Sequence, residues 1–393
     1  MVSVECDVLV VGAGPAGSSA ARAAAKKGLK TFIIEEDGEI GKPIKCAEGI
    51  GSYLFPHMPF KIPKEQFIWE IKGMYFWAND VAFIKKGGIW SGYTIDRSKW
   101  DKWLANLATD NGVTLLTNTK LISLDYNTDY TVKKATAIKN GKKIDFKPKI
   151  VVAADGIDST VLDILNVKKK KGCIGYVKSY EMKNLNLKYP KYDQLFFGDF
   201  APRAYAYIFP ISNTKANLGI GTIYEDRNLD EYFEKFIDTP YIKKQVIQGK
   251  KIIEKTGNAP VRNLSDKLLY GNIFIVGDAA NQNIKPFIEG NIPGIICGDI
   301  LGNLIYNVLK DNEKPENYEN VINEKFDLIK NSQGYTDIVY GESKIEPKTF
   351  NILLLGLMSE IIDLDKKNIE TFCIKGYDFI KKYLIERGAF IEK

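Results

Sequence analysis

The sequence predicts an α/β protein whose Rossmann-like, dinucleotide-binding domain is discontinuous, with antiparallel sheet inserted into it and a helical region at the C-terminal end. Three observations predict this. An apolar strand, Asp7 to Val11, runs straight into Gly12-x-Gly14-x-x-Gly17 and an Ala-rich helix. Two later apolar strands, 150–154 and 273–276, each end in an acid beside glycine, Asp155-Gly156 and Gly277-Asp278. Between them, residues 174–223 read as a series of strands rich in aromatic and β-branched residues.

The first unit reads strand, glycine turn, helix (Ser18 to Lys27), strand (Thr31 to Ile34), acid (Glu35, followed by Glu36). That order and spacing belong to a dinucleotide-binding βαβ unit. Gly12 permits the tight turn, Gly14 lets the backbone approach a pyrophosphate, and Gly17 lets the helix pack close to the strand. Pro15 and Ala16 complete the turn, and the helix N-terminus points its amides at phosphate. Glu35 is placed to accept from the adenosine ribose hydroxyls.

Residues 71–95 read as strands broken by Asn79-Asp80 and Gly87-Gly88. Asp96 is suited to cap a helix from Arg97 to Asp110, with Trp100, Leu104 and Leu107 on one face. Residues 113–150 alternate short strands and turns such as Asn140-Gly141. A helix is expected over Leu229–Ile237 and a strand near Ile252–Thr256. Asn291 is suited to cap the next helix, with Pro293 tolerated in its first turn. The run 292–309 is apolar but carries Asp299 and Asn303, so it reads as a buried helix rather than a membrane span. The expected division is 1–70, 92–170 and 265–310 for the nucleotide-binding domain, 71–91 and 171–264 for the inserted sheet, and 311–393 for the helical region.

At 393 residues the chain can bury large cores, and 45% hydrophobic with 26% charged residues is ordinary for a globular protein. The net charge of +6 includes the run Lys168 to Lys171, read as a solvated loop. No zinc spacing, helix-turn-helix or RNA-binding aromatic signature is evident, which argues against a nucleic-acid partner and against a metal site. The five cysteines, Cys6, Cys46, Cys173, Cys297 and Cys373, are scattered without Cys-x-x-Cys. That usage, with no signal-peptide pattern, places the expected home in the cytoplasm. His57 sits in a proline-bounded loop with no paired acid and is not expected to be catalytic.

The ordered set of Gly12-x-Gly14-x-x-Gly17, Asp155-Gly156 and Gly277-Asp278 resembles the FAD-binding set of the flavin monooxygenase and reductase superfamily related to aromatic hydroxylases. The resemblance implies an FAD-binding Rossmann-like domain of aromatic-hydroxylase type. It implies that Asp278 binds the ribityl chain and that Arg97, at a helix start, reaches the cofactor. Lys45-Cys46-Ala47-Glu48-Gly49 resembles the Cys-x-Glu-Gly segment of geranylgeranyl reductases. Pro202 to Pro210, followed by Gly219 and Gly221, resembles their Pro-x-x-Tyr-x-Trp-x-Phe-Pro signature, with Tyr207 in the Trp position. Tyr205, Tyr207 and Phe209 share one face of a strand that Pro210 ends, an aromatic wall suited to a polyprenyl chain or a flavin ring. The turn Gly290-Asn291-Ile292 stands where the family has a glycine-rich turn facing the flavin. Glu289, if turned inward, would disfavour an anionic reduced flavin.

The resemblance implies an ene-reductase of archaeal lipid precursors: hydride from reduced FAD, with a proton from a side chain or an ordered water. Cys46 is the expected functional thiol and Glu48 the alternative acid. Ferredoxin, a deazaflavin and NADPH are open as electron donors. The lipid substrate implies peripheral contact with the inner face of the cell membrane. The apolar stretch Phe350 to Met358 is expected to pack on the core, to line a lipid tunnel or to rest on the membrane. Two other readings stay open: a flavin monooxygenase or halogenase-like enzyme, and a non-catalytic flavoprotein that binds lipid or a partner.

Overall fold

The structure, a computed structural model, describes residues 2–167, 172–225, 228–341 and 344–392; Lys168 to Lys171 lie outside them. In chain order the elements begin with β1 (Val2–Val11), α1 (Pro15–Lys26), β2 (Thr31–Ile34), β3 (Gly49–Gly51), β4 (Phe67–Ile71), β5 (Gly73–Ala78), β6 (Val81–Lys86) and β7 (Gly92–Ile95). Next come α2 (Arg97–Asp110), β8 (Thr114–Leu116), β9 (Thr119–Tyr126), β10 (Val132–Lys139), β11 (Lys142–Ala153) and α3 (Thr160–Ile164). The middle of the chain forms β12 (Ile174–Lys183), β13 (Tyr192–Phe197), β14 (Ala206–Pro210), β15 (Lys215–Thr222), α4 (Leu229–Asp238), α5 (Pro240–Val246) and β16 (Lys250–Pro260). The remainder is β17 (Leu269–Tyr270), β18 (Ile273–Ile275), α6 (Asn291–Lys310), α7 (Tyr318–Lys325), α8 (Leu328–Ser332), α9 (Tyr335–Tyr340), α10 (Pro347–Met358), α11 (Lys366–Ile385) and β19 (Phe390–Ile391).

The first sheet has the parallel order β8-β2-β1-β11-β18, the order of a dinucleotide-binding sheet. The central segments 8–11, 31–34, 150–153 and 273–275 are largely buried on both faces, and so they read as continuous apolar runs, while β8 at the edge is not. Helix α1 begins one turn earlier than the sequence suggests, because Pro15 is tolerated in the first turn. Asp96 caps α2 as expected, accepting from the amides of Ser98 and Lys99.

The second sheet runs β16-β12-β15-β14-β13-β5-β6-β19. One of its pairs, β5 with β13, is parallel rather than antiparallel. After the β5–β6 hairpin the chain leaves to build β8 to β11, half of the first sheet's strands, and so long a connection can return it in the same direction. The C-terminal region is not wholly helical, since β19 joins this sheet beside β6. A small third sheet, β3-β7-β4, bridges the two layers.

Helix α6 is long and apolar enough to cross a membrane, yet its residues are mostly buried against α1 and the parallel sheet. The backbones of α1 and α6 touch. A Cβ built on Gly298 would lie 2.3 Å from the Ala16 carbonyl oxygen, and one on Gly302 2.3 Å from that of Ala20. Helix α10 is buried along its length, with Leu354 only 1% exposed. It packs on β5 and β13, so Leu354 does not rest on a membrane. Leu357 and Met358 at its end line the central cavity.

Candidate active site

A cavity of about 820 Å³ lies where the C-terminal ends of the parallel strands meet one face of the second sheet. Small-molecule sites run to roughly 1,000 Å³, so this one can hold a large ligand.

One end is built from the glycine turns. Gly12, Gly14, Pro15, Ala16, Glu35, Glu36, Cys46, Ala47, Arg97, Asp155, Gly156, Gly277, Asp278, Gly290 and Asn291 all line the cavity. Gly12 has φ +99°, and a Cβ there would lie 2.4 Å from the Ala154 carbonyl oxygen. Gly17 does not line the cavity; a Cβ on it would strike the Gly12 carbonyl oxygen at 2.0 Å, so its task is helix-to-strand contact. Glu35 Oε2 accepts from the Ala13 amide at 2.8 Å, which fixes the acid at the end of β2 against the turn. The Asp155 carboxylate instead holds its own loop, accepting from Ser159 Oγ at 2.7 Å and the Val161 amide at 2.9 Å.

Two sequence expectations are corrected at α6. Its N-cap position is Gly290, and Asn291 makes no capping hydrogen bond. Ile292 is fully buried in the core and is not part of the cavity wall. Asn291 lines the cavity, and its Nδ2 and Oδ1 are buried with no hydrogen-bond partner among the described residues. Arg97 Nε and Nη2 donate to the two oxygens of Asp101 at 2.9 and 2.8 Å. Burial opposes its charge, but Asp101 and then Cys46 raise the guanidinium above its ordinary value. Burial raises the Asp278 carboxyl, while Arg97 and Lys285 oppose the rise. Lys285 is itself lowered to about 7, chiefly by burial.

Glu48 corrects a further expectation. It is not placed as a proton donor. Its Oε1 accepts from the Arg97 amide at 2.9 Å. Its Oε2 accepts from Asn217 Nδ2 at 3.0 Å and Lys255 Nζ at 2.5 Å. The Glu48 and Lys255 side chains are 5% and 1% exposed, so they form a buried ion pair. Glu48 thereby fastens the Cys46 segment to α2, β15 and β16. Cys46 Sγ accepts from the Glu48 amide at 3.2 Å. Lys255 and Asn217 were not foreseen from the sequence.

The other end of the cavity carries the aromatic wall. Tyr205, Tyr207 and Phe209 all line it, with the Tyr207 and Phe209 ring centroids 4.8 Å apart. Tyr205 Oη donates to the Phe287 carbonyl at 2.7 Å and ties the wall to the loop before α6. Pro210 is not part of the wall: it is one residue out of the odd-numbered set, and its carbonyl accepts from Thr94 Oγ1 at 2.6 Å. Glu289 does line the cavity, but Oε1 accepts from the Gly51 amide at 2.7 Å and Oε2 from Tyr53 Oη at 2.9 Å. His57 lies edge-on to Phe326 and takes no part in the cavity.

Gly219 makes room for Tyr207. A Cβ built there would lie 2.4 Å from the phenol ring. Gly219→Ala is therefore expected to overpack this point at a cost of about 1–3 kcal/mol, read as a lower midpoint in urea unfolding.

The residues fit FAD: glycine turns that admit close backbone approach, two helix N-termini at one end of the cavity, and an unpartnered Asn291 beside them. Fold and cradle together define an FAD-dependent oxidoreductase. Residues 7–172 match the family model of FAD dependent oxidoreductases, and residues 174–259 match that of the geranylgeranyl reductase catalytic domain. The chain is 32% identical to a digeranylgeranylglycerophospholipid reductase of Methanococcus aeolicus, over 98% of each chain. A geranylgeranyl bacteriochlorophyll reductase-like protein from Thermoplasma acidophilum superposes with a TM-score of 0.81 at 28% identity, covering 98% of this chain and 99% of that one. A flavin-dependent brominase shares the fold, with a TM-score of 0.72 at 16% identity over 98% and 99% of the two chains. The chain belongs to the digeranylgeranylglycerophospholipid reductase family.

Proposed function

We propose that this enzyme saturates prenyl double bonds of digeranylgeranylglycerophospholipids, precursors of archaeal membrane lipids. The observation that carries the reading is the shared cavity: a dinucleotide cradle opens directly onto an aromatic and aliphatic wall of Tyr205, Tyr207, Phe209, Leu195 and Met358. When bound, FAD supplies the hydride. The chain's own groups do the rest. Gly12, Gly14, Pro15, Ala16, Glu35, Glu36, Gly156, Gly277 and Asp278 hold the dinucleotide. Ala47, Gly290 and Asn291 face its ring, and Arg97 keeps Cys46 oriented there. The aromatic wall aligns the alkene and excludes water, which favours hydride transfer over side reactions.

The same reading assigns 1–70, 92–170 and 265–310 to cofactor binding and 71–91 with 171–264 to the lipid. Ferredoxin, a deazaflavin or NADPH supplies the electrons, and anaerobic bleaching of the flavin band by one of the three identifies which. The enzyme works in the cytoplasm on lipid drawn from the inner face of the membrane. The test is an anaerobic assay with chemically reduced protein and digeranylgeranylglycerophospholipid, followed by mass spectrometry. The expected product gains two hydrogens per double bond; oxygen-dependent hydroxylated product, or no product, overturns the proposal.

Asn291→Ala is expected to weaken FAD retention by about tenfold, the value of one hydrogen bond near 1.4 kcal/mol. Fluorescence titration of the FAD-free protein measures it, and the thermal midpoint of that FAD-free protein should not fall.

A further inference from the structure

Two carboxyl groups meet in the cavity where cradle and aromatic wall join; Asp193 was not foreseen, and Glu289 only for its effect on a reduced flavin. Asp193 lies on β13, two residues before Leu195. Leu195 pairs with Tyr207 across the sheet, so the face that carries Tyr207 and Phe209 into the cavity carries Asp193 as well. Glu289 enters from the loop ahead of α6. Both stand against the same face of β3, which is bare there because its residues are Gly49 and Gly51. A Cβ on Gly49 would lie 3.6 Å from Asp193 Oδ2 and 3.0 Å from the Phe209 ring. A Cβ on Gly51 would lie 3.1 Å from Glu289 Oε1.

The two acids are not equivalent. Both Glu289 oxygens are engaged, by the Gly51 amide and by Tyr53. Asp193 Oδ1 is buried and has no hydrogen-bond partner among the described residues. Burial pushes the Asp193 carboxyl up to about 8, and the nearby Glu289 pushes it the same way. Burial raises the Glu289 carboxyl as well, opposed by its bonds from Gly51 and Tyr53. Tyr53, Tyr205 and Tyr207 stand beside the two acids, and burial raises all three phenols beyond the range in which they exchange protons at neutral pH. At neutral pH Asp193 is thus an uncharged acid facing an apolar, aromatic space, the condition a general acid requires.

We propose that Asp193 is the catalytic acid that delivers the proton to the alkene. The inference rests on the reductase reading above. Hydride, with its electron pair drawn from reduced FAD, forms a C–H bond at one alkene carbon. The π pair forms the second C–H bond with the Asp193 proton, and the carboxyl O–H bond breaks to leave a carboxylate. Reduced FAD would thereby give up two electrons to become FAD, the lipid gains two electrons and two hydrogens, and Asp193 regains its proton from water. Of the other candidate donors, Glu48 is occupied as an acceptor, and Cys46, beside Arg97 and near Tyr207, is the remaining competitor.

The test compares wild type with Asp193→Asn, both loaded with FAD and chemically reduced under anaerobic conditions. Asp193→Asn is expected to keep its FAD and to slow reoxidation of the reduced flavin by lipid at least about 100-fold at about pH 7, within the range for loss of a general acid. A second readout needs no turnover. With carbon-13 aspartate, infrared spectra of the oxidised, FAD-loaded wild type should show a protonated carboxyl band that titrates away near pH 8, absent in the variant. Stability follows the same proton. The native state keeps it between the ordinary value of 3.8 and about 8 while the unfolded chain releases it, so stability falls as pH rises across that window. The variant should lose that fall. Wild-type protein that leaves the lipid untouched overturns the reductase reading and the role of Asp193 with it. Wild-type turnover with the variant within about threefold overturns Asp193 alone. If the variant sheds FAD, the wild-type infrared titration decides, and a carboxylate already ionised at about pH 6 overturns the assignment.

Discussion

Lys255→Met is expected to destabilise the protein by about 3–5 kcal/mol, because removing one partner of a buried ion pair strands the other charge. The stranded group is Glu48, which would keep only the Arg97 amide and Asn217 as donors. The loss reaches beyond stability. Glu48 sits at φ +70° between Cys46 and β3, and its carboxylate fastens that segment to the start of α2. Releasing it should loosen both Cys46 and Arg97, so FAD retention falls together with the unfolding midpoint. Urea unfolding and flavin content measure the two effects. The double variant Glu48→Gln with Lys255→Met removes both charges and should be less destabilised than Lys255→Met alone, giving a coupling above about 1 kcal/mol in a double-mutant cycle. A single-variant loss below about 1 kcal/mol would show that the pair is solvated after all.

Gly298→Ala in α6 is expected to destabilise by about 1–3 kcal/mol, against the sign that helix propensity alone gives. In an open helix, glycine to alanine gains about 1 kcal/mol. Here the new methyl would meet the Ala16 carbonyl oxygen at 2.3 Å and the Ala20 amide nitrogen at 3.1 Å. Those are backbone atoms of α1, so the helices must separate, and overpacking of that kind outweighs the propensity. Gly294 supplies the internal control. Its nearest neighbour would be the Ala16 Cβ at 3.5 Å, an ordinary contact, so Gly294→Ala should leave stability unchanged or raised. Thermal unfolding of the two FAD-free variants should place the Gly298→Ala midpoint below both wild type and Gly294→Ala. Similar midpoints would mean that the helices can part freely.

What could be read from the sequence is what local chemistry dictates. Gly12, Gly156 and Gly277 all take positive φ at turns that line the cavity, so the cradle is written in contiguous motifs. Asp96 and the run after it define α2 to the residue, because cap and periodicity agree. Errors arose where the direction of a side chain decides. Pro210 and Ile292 each lie one residue beside a cavity residue, and one step along a strand or helix turns the side chain into the protein. Asn291 is a cap by residue type, yet the chain places Gly290 there and leaves the amide buried without a partner among the described residues. The Glu48–Lys255 pair was invisible for a different reason. The partners are 207 positions apart: Lys255 in its strand reads as an ordinary surface charge, and Glu48 reads as an acid of the Cys46 segment rather than as half of an ion pair. Asp193 likewise gives no signal in a strand whose neighbours alternate normally; only its meeting with Glu289 sets it apart.

The contacts between α1 and α6 have an electrical consequence. Ala16 meets Gly294 and Gly298, and Ala20 meets Gly298 and Gly302, so the two helices advance side by side in the same direction. Each N-terminus carries roughly half a positive charge, and both first turns border the same cavity. Packed antiparallel, each positive end would lie beside the negative end of the other helix and be offset by it; packed this way, the two positive ends add at one spot. A spacing of four residues between glycines, which looks like a purely steric device, therefore also sets the field that a negatively charged occupant feels.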